Sequence, residues 1–319
     1  MPLYLVTGGA GFIGSHLVER LLRQGDQVRV LDDLSTGSLA NVPPGVEFIQ
    51  GDVACAKPVR EAMWGVVGCF HLAAVASVEQ SNREWVAVHR VNQTGTIQVF
   101  SAVRDLSPDA PIPVVYASSA AVYGDNPVMP LTEAMCPTPM TAYGADKLGC
   151  ELHARAAGLV HKIPSMGLRF FNVYGPRQDL YSPYSGVISM FMERAQRGEN
   201  LKIFGDGHQV RDFVFVQDVV EMMIRAMARA HMGGVVLNVC TGRATSILEL
   251  AGLVNRLCGN PLPVVHHPAR PGDIRLSMGD PVQGEKILGL RAGVSLEDGL
   301  QILLDWRKKE PQTRLTCPG

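Results

Sequence analysis

Tyr143 and Lys147, four positions apart, are the residues of this 319-residue chain best suited to moving a proton. On a helix that spacing puts both side chains on one face. A phenol titrates near about 10 and is a poor base at neutral pH. Positive charge close by stabilises the phenolate and lowers that value, and Lys147 supplies one such charge. Ser119, in the run S-S-A-A-V-Y-G from Ser118, could hold a substrate hydroxyl between itself and Tyr143. Alone, a Y-x-x-x-K pair is more often an exposed helix pair. The elements around it change that reading.

Those elements begin at once. Leu3 to Thr7 (L-Y-L-V-T) is an apolar and β-branched run that suits a buried parallel strand. Gly8, Gly9, Gly11 and Gly14 follow, and Leu17, Val18, Leu21 and Leu22 then recur at helical spacing as far as Gly25. Strand, glycine turn and helix in this order form a dinucleotide-binding fingerprint. Glycine permits the tight turn and close backbone approach, and the helix N-terminus offers free N–H groups to the phosphates. The next strand, from Gln27, ends in Asp32, 18 residues past Gly14, where a carboxylate can bind the adenosine ribose hydroxyls. Such a carboxylate would repel a 2′-phosphate, so the expected cofactor is NAD rather than NADP. Its oxidised nicotinamide ring would add a second positive charge beside Tyr143.

Further strands are expected at 46–50, 69–72, 114–117 and 165–170, alternating with helices near 83–106, broken at Thr94-Gly95-Thr96, and 143–160. This alternation makes an α/β protein with a Rossmann doubly wound parallel sheet, whose ligands lie at the carboxyl ends of the strands. Asp32, Ala73, Ser118, Ser119 and Asn172 all fall at such ends, and the small Ala73 and Ala74 would let a ligand lie close. Asp52, just past a strand end, would touch the adenine amino group or simply cap the next turn. Beyond Asn172 the pattern is irregular, with turns at Gly175-Pro176, 181–186 and Gly205-Asp206-Gly207 and helices near 186–197, 216–230 and 246–258. The expected division is a NAD-binding domain over 1–170 and a smaller C-terminal α/β substrate domain over 171–306. Parts of the chain cross back to the first domain, and a frayed polar tail occupies 307–319.

Composition narrows the partners. With 46% hydrophobic and 18% charged residues and a formal net charge of -1, nothing points to nucleic acid or to an anionic membrane surface. No apolar run reaches membrane-spanning length, and a strand starting at residue 3 leaves no room for a signal peptide. The seven cysteines are scattered without C-x-x-C, as structural thiols in a reducing cytoplasm would be. No histidine spacing suggests a metal, and His266 and His267 are expected in a solvated Pro-rich loop. Arg211 and Arg270 can each make bidentate bonds to a diphosphate, and Asp273 suits ribose hydroxyls. Taken alone, Arg211-Asp212 and Arg270 with Asp273 read equally well as loop salt bridges.

A run of motifs in order carries a family resemblance. They are T-G-G-A-G-F-I-G-S-H-L from Thr7, D-D-L-S-T-G from Asp32, G-D-V from Gly51, H-L-A-A from His71 and S-S-A-A-V-Y-G from Ser118. Y-G-A-D-K from Tyr143, L-R-F-F-N-V-Y-G-P-R-Q from Leu168, G-D-G-H-Q-V-R-D-F from Gly205, R-P-G-D from Arg270 and L-E-D-G-L from Leu296 complete them. Over nearly its whole length the chain resembles the extended short-chain dehydrogenases/reductases, the NAD-dependent epimerase/dehydratase family, and within them the UDP-sugar 4-epimerases. The resemblance implies Tyr143 as base, Lys147 as its partner and Ser119 as the hydroxyl-binding group. It puts NAD contacts on Gly8, Gly11, Phe12, Ile13, Gly14, Asp32, Asp33, Ser35, Thr36, Gly37, Asp52, Val53, Leu72, Ala73, Ala74, Tyr143, Lys147 and Phe171. Contacts to a UDP-sugar fall on Ser118, Ser119, Asn172, Val187, Phe204, Gln209, Arg211, Arg270, Asp273 and Ser277. It also implies a homodimer through helices near 92–106 and 143–160.

The implied reaction inverts the sugar at C4. Tyr143 takes the C4 hydroxyl proton while hydride passes to NAD, the 4-keto sugar swings round, and both return to the opposite face. Related sugar-nucleotide dehydratases carry Asp-Glu where this chain has Ala120-Ala121. Two alanines supply neither the acid nor the base that elimination of water needs. UDP-glucuronate decarboxylases usually show an acidic residue there too. Ser277 replaces a bulky family residue beside C2, so an N-acetyl group should be admitted and UDP-GlcNAc/UDP-GalNAc used as well as UDP-Glc/UDP-Gal. Asp146, where Ser often precedes the lysine, and Ala142, in place of Pro, depart from the family pattern. The rival readings are a UDP-glucuronate 4-epimerase, a net nucleotide-sugar reductase and, lower, a non-catalytic NAD-binding scaffold.

Overall fold

The apolar run at the start of the chain forms β1 (Leu3–Thr7), and its glycine turn leads into α1 (Phe12–Arg23). The computed structural model describes residues 1–178, 186–230, 234–259, 261–270 and 272–309. Strand and helix then alternate through β2 (Gln27–Asp32), β3 (Glu47–Gln50), α2 (Ala56–Met63), β4 (Gly68–His71), α3 (Val78–Arg83), α4 (Trp85–His89) and α5 (Gly95–Leu106). β5 (Val114–Ser119), α6 (Ala142–His161) and β6 (Ser165–Phe170) complete the first half. The second half holds β7 (Asn172–Tyr174), α7 (Val187–Gln196), β8 (Leu201–Phe204), β9 (Val210–Arg211), β10 (Phe213–Phe215), α8 (Val216–Met227) and β11 (Val235–Val239). β12 (Thr245–Ser246), α9 (Ile247–Cys258), β13 (Val264–His267), β14 (Leu276–Ser277), α10 (Val282–Leu288) and α11 (Leu296–Lys309) follow.

Seven strands form one sheet in the order β3-β2-β1-β4-β5-β6-β11, every neighbouring pair parallel. This is the doubly wound sheet that the alternation predicts. Side chains of a strand alternate between faces, so Val6 enters one core and Leu5 the other. On the first face Leu17, Val18 and Leu21 of α1 and Val219, Met222 and Met223 of α8 cover the sheet. On the second, Val59 of α2, Val99 and Val103 of α5 and Ala154 of α6 do so. A third core lies away from the sheet, where Phe191, Leu250 and Leu303 bring α7, α9 and α11 together.

Several expectations change. The helical run before residue 106 does not break at Thr94-Gly95-Thr96. It widens into a π-turn over Arg90–Thr94 and continues directly as α5, because a π-turn absorbs an extra residue without ending the helix. His266 and His267 lie in β13, paired with β8, not in a loop. α11 runs to Lys309, so 307–309 are helical, while 310–319 and the expected turn residues 181–185 lie outside the described residues. β11 pairs with β6 at the edge of the main sheet, and α8 packs on its first face. Among the described residues no helix is long and apolar enough to cross a membrane.

Candidate functional site

Because β1, β2, β4, β5 and β6 run parallel, their carboxyl ends share one edge, and the glycine turn crosses it. Gly8 has φ +71°, and a Cβ there would stand 2.7 Å from the Ala73 nitrogen at the end of β4. A Cβ on Gly14 would overlap the Gly8 carbonyl. Side chains at either place would fill the cradle that a pyrophosphate needs. Gly11 caps α1 with extended backbone and no side-chain hydrogen bond, so the first-turn amides of Phe12, Ile13 and Gly14 face this cradle without a side-chain cap. Asp32 is buried at the end of β2, its oxygens accepting from the amides of Ala10 and Leu34 at 2.9 Å each. Burial raises its pKa above the ordinary carboxylate value, and the two amide bonds oppose that rise. A carboxylate oxygen has two acceptor sites, so each keeps one for a hydroxyl. The glycine cradle, open helix end and buried acceptor fit NAD.

The loop after Asp32 folds back over the glycine turn. Gly37 packs on Ala10, and the Ser38 amide and Asn41 side chain donate to the Ala10 carbonyl. Asp33 accepts from the Ser35 amide and hydroxyl at the surface, and Thr36 is exposed beside them. Asp52 accepts from the Ala54 amide at 2.8 Å and also pairs with Arg90 at 2.7 Å. Val53 is buried against Gly95. Leu72, Ala73 and Ala74 line the end of β4, partly buried.

Thr141 caps α6 by accepting from the Gly144 amide, which places Tyr143 in the first turn. Lys147 follows one turn on, 5.8 Å from the Tyr143 ring centre, with Nζ donating to the Ala117 carbonyl at 3.0 Å. It is 5% exposed, so its ammonium is largely withdrawn from solvent. Ser119 closes β5; its Oγ accepts from the Ala121 amide at 3.1 Å, which leaves the hydroxyl proton free to donate elsewhere. Gly144 lets the two elements meet, since a Cβ there would stand 2.6 Å from the Ala121 carbonyl. The helix that carries Tyr143 and Lys147 thus packs against the strand end that carries Ser119.

Ser118 does not join them. It is 2% exposed and donates to Glu151 at 2.5 Å, and Glu151 forms a two-pronged buried ion pair with Arg169 at 2.9 and 2.7 Å. Adjacent strand residues point to opposite faces, so only one of the two serines can face the site. Phe171 is likewise a core residue, 5% exposed and packed on Tyr123. Sequence reasoning missed Asp146 as a structural group: it is buried and paired with His89 at 2.7 Å.

The remaining positions lie on short strands, loops and a helix start outside the main sheet. Arg211 on β9 pairs with Asp273 at 2.5 Å and donates to the Ile274 carbonyl, and burial lowers its pKa against the pull of Asp273. Arg270 lies over the Phe204 ring at 4.1 Å, not on Asp273. Gln209 donates to the Phe204 carbonyl, and its own oxygen is buried without a protein partner. Ser277 on β14 is directly opposite Arg211 and is buried. Val187 opens α7 beside the third core. Asp212, fully buried, ties several of these segments together. Its carboxylate accepts from Thr241, Gly242 and Gly279, and its carbonyl from Asn172.

This fold, with its dinucleotide cradle and Tyr-Lys helix, defines a class. The model of the NAD-dependent epimerase/dehydratase family matches residues 4–240, and the chain belongs to that family. NAD is therefore its cofactor. The chain is 37% identical to a UDP-glucose 4-epimerase of Mycolicibacterium smegmatis, over 97% of this chain and 99% of that one. A UDP-glucose 4-epimerase of Thermotoga maritima, solved with UDP-glucose, is 35% identical with TM-score 0.92, over 96% and 99%. A UDP-N-acetylglucosamine 4-epimerase of Methanobrevibacter ruminantium, solved with UDP-N-acetylmuramic acid, is 32% identical with TM-score 0.91, over 96% and 98%.

Proposed function

We propose that this protein is a UDP-sugar 4-epimerase that inverts C4 of UDP-glucose/UDP-galactose and also accepts the N-acetylated pair. The observation that carries the reading is Tyr143 beside buried Lys147 on α6, packed on the strand that ends in Ser119, with Ala120 and Ala121 offering no further acid or base. NAD, when bound, supplies the acceptor and donor of hydride at C4. Ser119 donates its free proton to the C4 oxygen and orients it. Tyr143 removes the C4 hydroxyl proton and later returns it, while the Lys147 ammonium stabilises the phenolate between the two events. Arg211 and Arg270 grip the diphosphate and Asp273 the ribose, so the hexose can turn about a fixed nucleotide. The relatives' names support the UDP-sugar, and the small Ser277 beside Arg211 supports the N-acetyl group.

The same reading makes the enzyme a cytoplasmic homodimer paired through α5 and α6. In support, α6 leaves Leu152, Leu159 and Val160 exposed, and the thiols of Cys69, Cys150 and Cys240 are free.

Proton NMR of the purified protein with UDP-Glc and, separately, UDP-GlcNAc, without added NAD, tests the proposal. The C4 epimer should appear in both tubes. Its absence from both, even with added NAD, would overturn the reading in favour of UDP-glucuronate or a net reductase.

A further inference from the structure

The end of β4 carries a buried histidine that the proposed chemistry does not use. His71 is 4% exposed and touches Thr7 on one side and Thr96 on the other. The hydrogen bonds fix its tautomer. Thr96 spends its proton on the Asn92 carbonyl at 2.7 Å, so its oxygen accepts from His71 Nε2 at 3.0 Å. Nδ1 is then bare and accepts the Thr7 hydroxyl at 2.8 Å. The Thr7 oxygen in turn accepts the amides of Leu72 and Ala73 at 3.2 Å. Burial, reinforced by the Lys147 charge, pushes the imidazole down to about 3, which keeps it neutral.

The ends of this chain of bonds matter. At one end is Ala73, against which Gly8 of the dinucleotide cradle is pressed. At the other is Asn92, inside the π-turn. Its side chain clamps Val75 through two hydrogen bonds at 2.8 and 3.1 Å, and its carbonyl also accepts from Cys150, one turn past Lys147 on α6. Side chains that bond the carbonyl four residues back bend a helix, and here the back-bond comes from Thr96. We propose that His71, as the Nε2–H tautomer, is a positioning residue: it locks the π-turn and so holds the catalytic face of α6 in register with the cofactor cradle.

This inference rests on Tyr143 and Lys147 acting on substrate, but its first test does not need turnover. In 15N-detected imidazole spectra of the wild-type holoenzyme, assigned by comparison with His71→Asn, His71 should show a protonated Nε2 and a bare Nδ1, unchanged from pH 5 to 9. A protonated Nδ1, or titration in that range, would overturn the proposal and leave the functional reading intact. Kinetics of two variants supply the second test. Thr96→Val, which keeps shape but removes the hydroxyl, should lower kcat about tenfold or more with KM for the UDP-sugar within about twofold; a misplaced reacting group costs on that order. Thr96→Ser should restore kcat to near the wild-type value. Equal kcat in Thr96→Val and wild type, or an equal loss in Thr96→Ser and Thr96→Val, would overturn it. Loss of epimerisation in wild type itself would instead overturn the functional reading.

Discussion

The proposed proton transfer depends on single atoms. Tyr143→Phe removes one hydroxyl and leaves the ring in place beside Lys147. Epimerisation should fall by about 10²–10⁴-fold, the usual worth of a positioned acid–base group. UDP affinity by calorimetry should stay unchanged, because Arg211, on β9, and Asp273, in the loop before β14, lie on other segments. Ser277→Tyr tests the specificity argument: activity on UDP-GlcNAc should drop by tenfold or more relative to UDP-Glc, on the order of the 10–200-fold that one added or missing group commands. That Tyr143 and Lys147 share a helix face was legible in the sequence, because it lies in a short spacing. Ser118 turns into the core onto Glu151, and the sequence of a strand end does not say which of two adjacent serines turns inward. His89 with Asp146 and Glu151 with Arg169 were not legible as pairs. Each joins separate elements, and no local pattern announces such a partner.

Elements meet at glycines and buried ion pairs. Gly144 allows α6 to touch the turn after β5, so Gly144→Val should push Tyr143 away from Ser119. Steady-state kinetics should then show a kcat loss of order 10²-fold in a protein that still melts cooperatively. Glu151→Ala tests the ion pair beneath β5 and β6. Stranding the Arg169 guanidinium should cost about 3–5 kcal/mol in denaturant unfolding, far more than removing the exposed Arg275–Asp206 pair, for which little change is expected. The strand–helix alternation was readable from period and length. The π-turn was not, because Gly95 looks like a breaker in sequence; its real use is to admit Val53 against the helix, where a Cβ would stand 2.7 Å away.

Over the whole molecule, two histidines make folding sensitive to acid. Burial holds His71 down to about 3 and His16 down to about 4, His16 between Pro176 and Arg177. The unfolded chain therefore takes up protons first, near the ordinary histidine value of about 6.5. Their contribution to stability is fully present above that value. It is lost as pH falls from there toward 4 and below, since unfolding binds protons in that window. Urea unfolding at pH 7, 5.5 and 4.5 should show the fall, and His16→Gln should flatten its upper part. The all-parallel sheet has a consequence for how the chain first reaches this state. β1 is an interior strand, flanked by β2 and by β4, and every strand pairing of this sheet spans a crossover, so no hairpin can nucleate it. Loop closure must precede most rewarding contacts, and such topologies fold slowly with apolar strands uncovered meanwhile. Refolding yield after dilution from denaturant should fall steeply as protein concentration rises, through the stickiness of runs such as L-Y-L-V-T before their neighbours arrive.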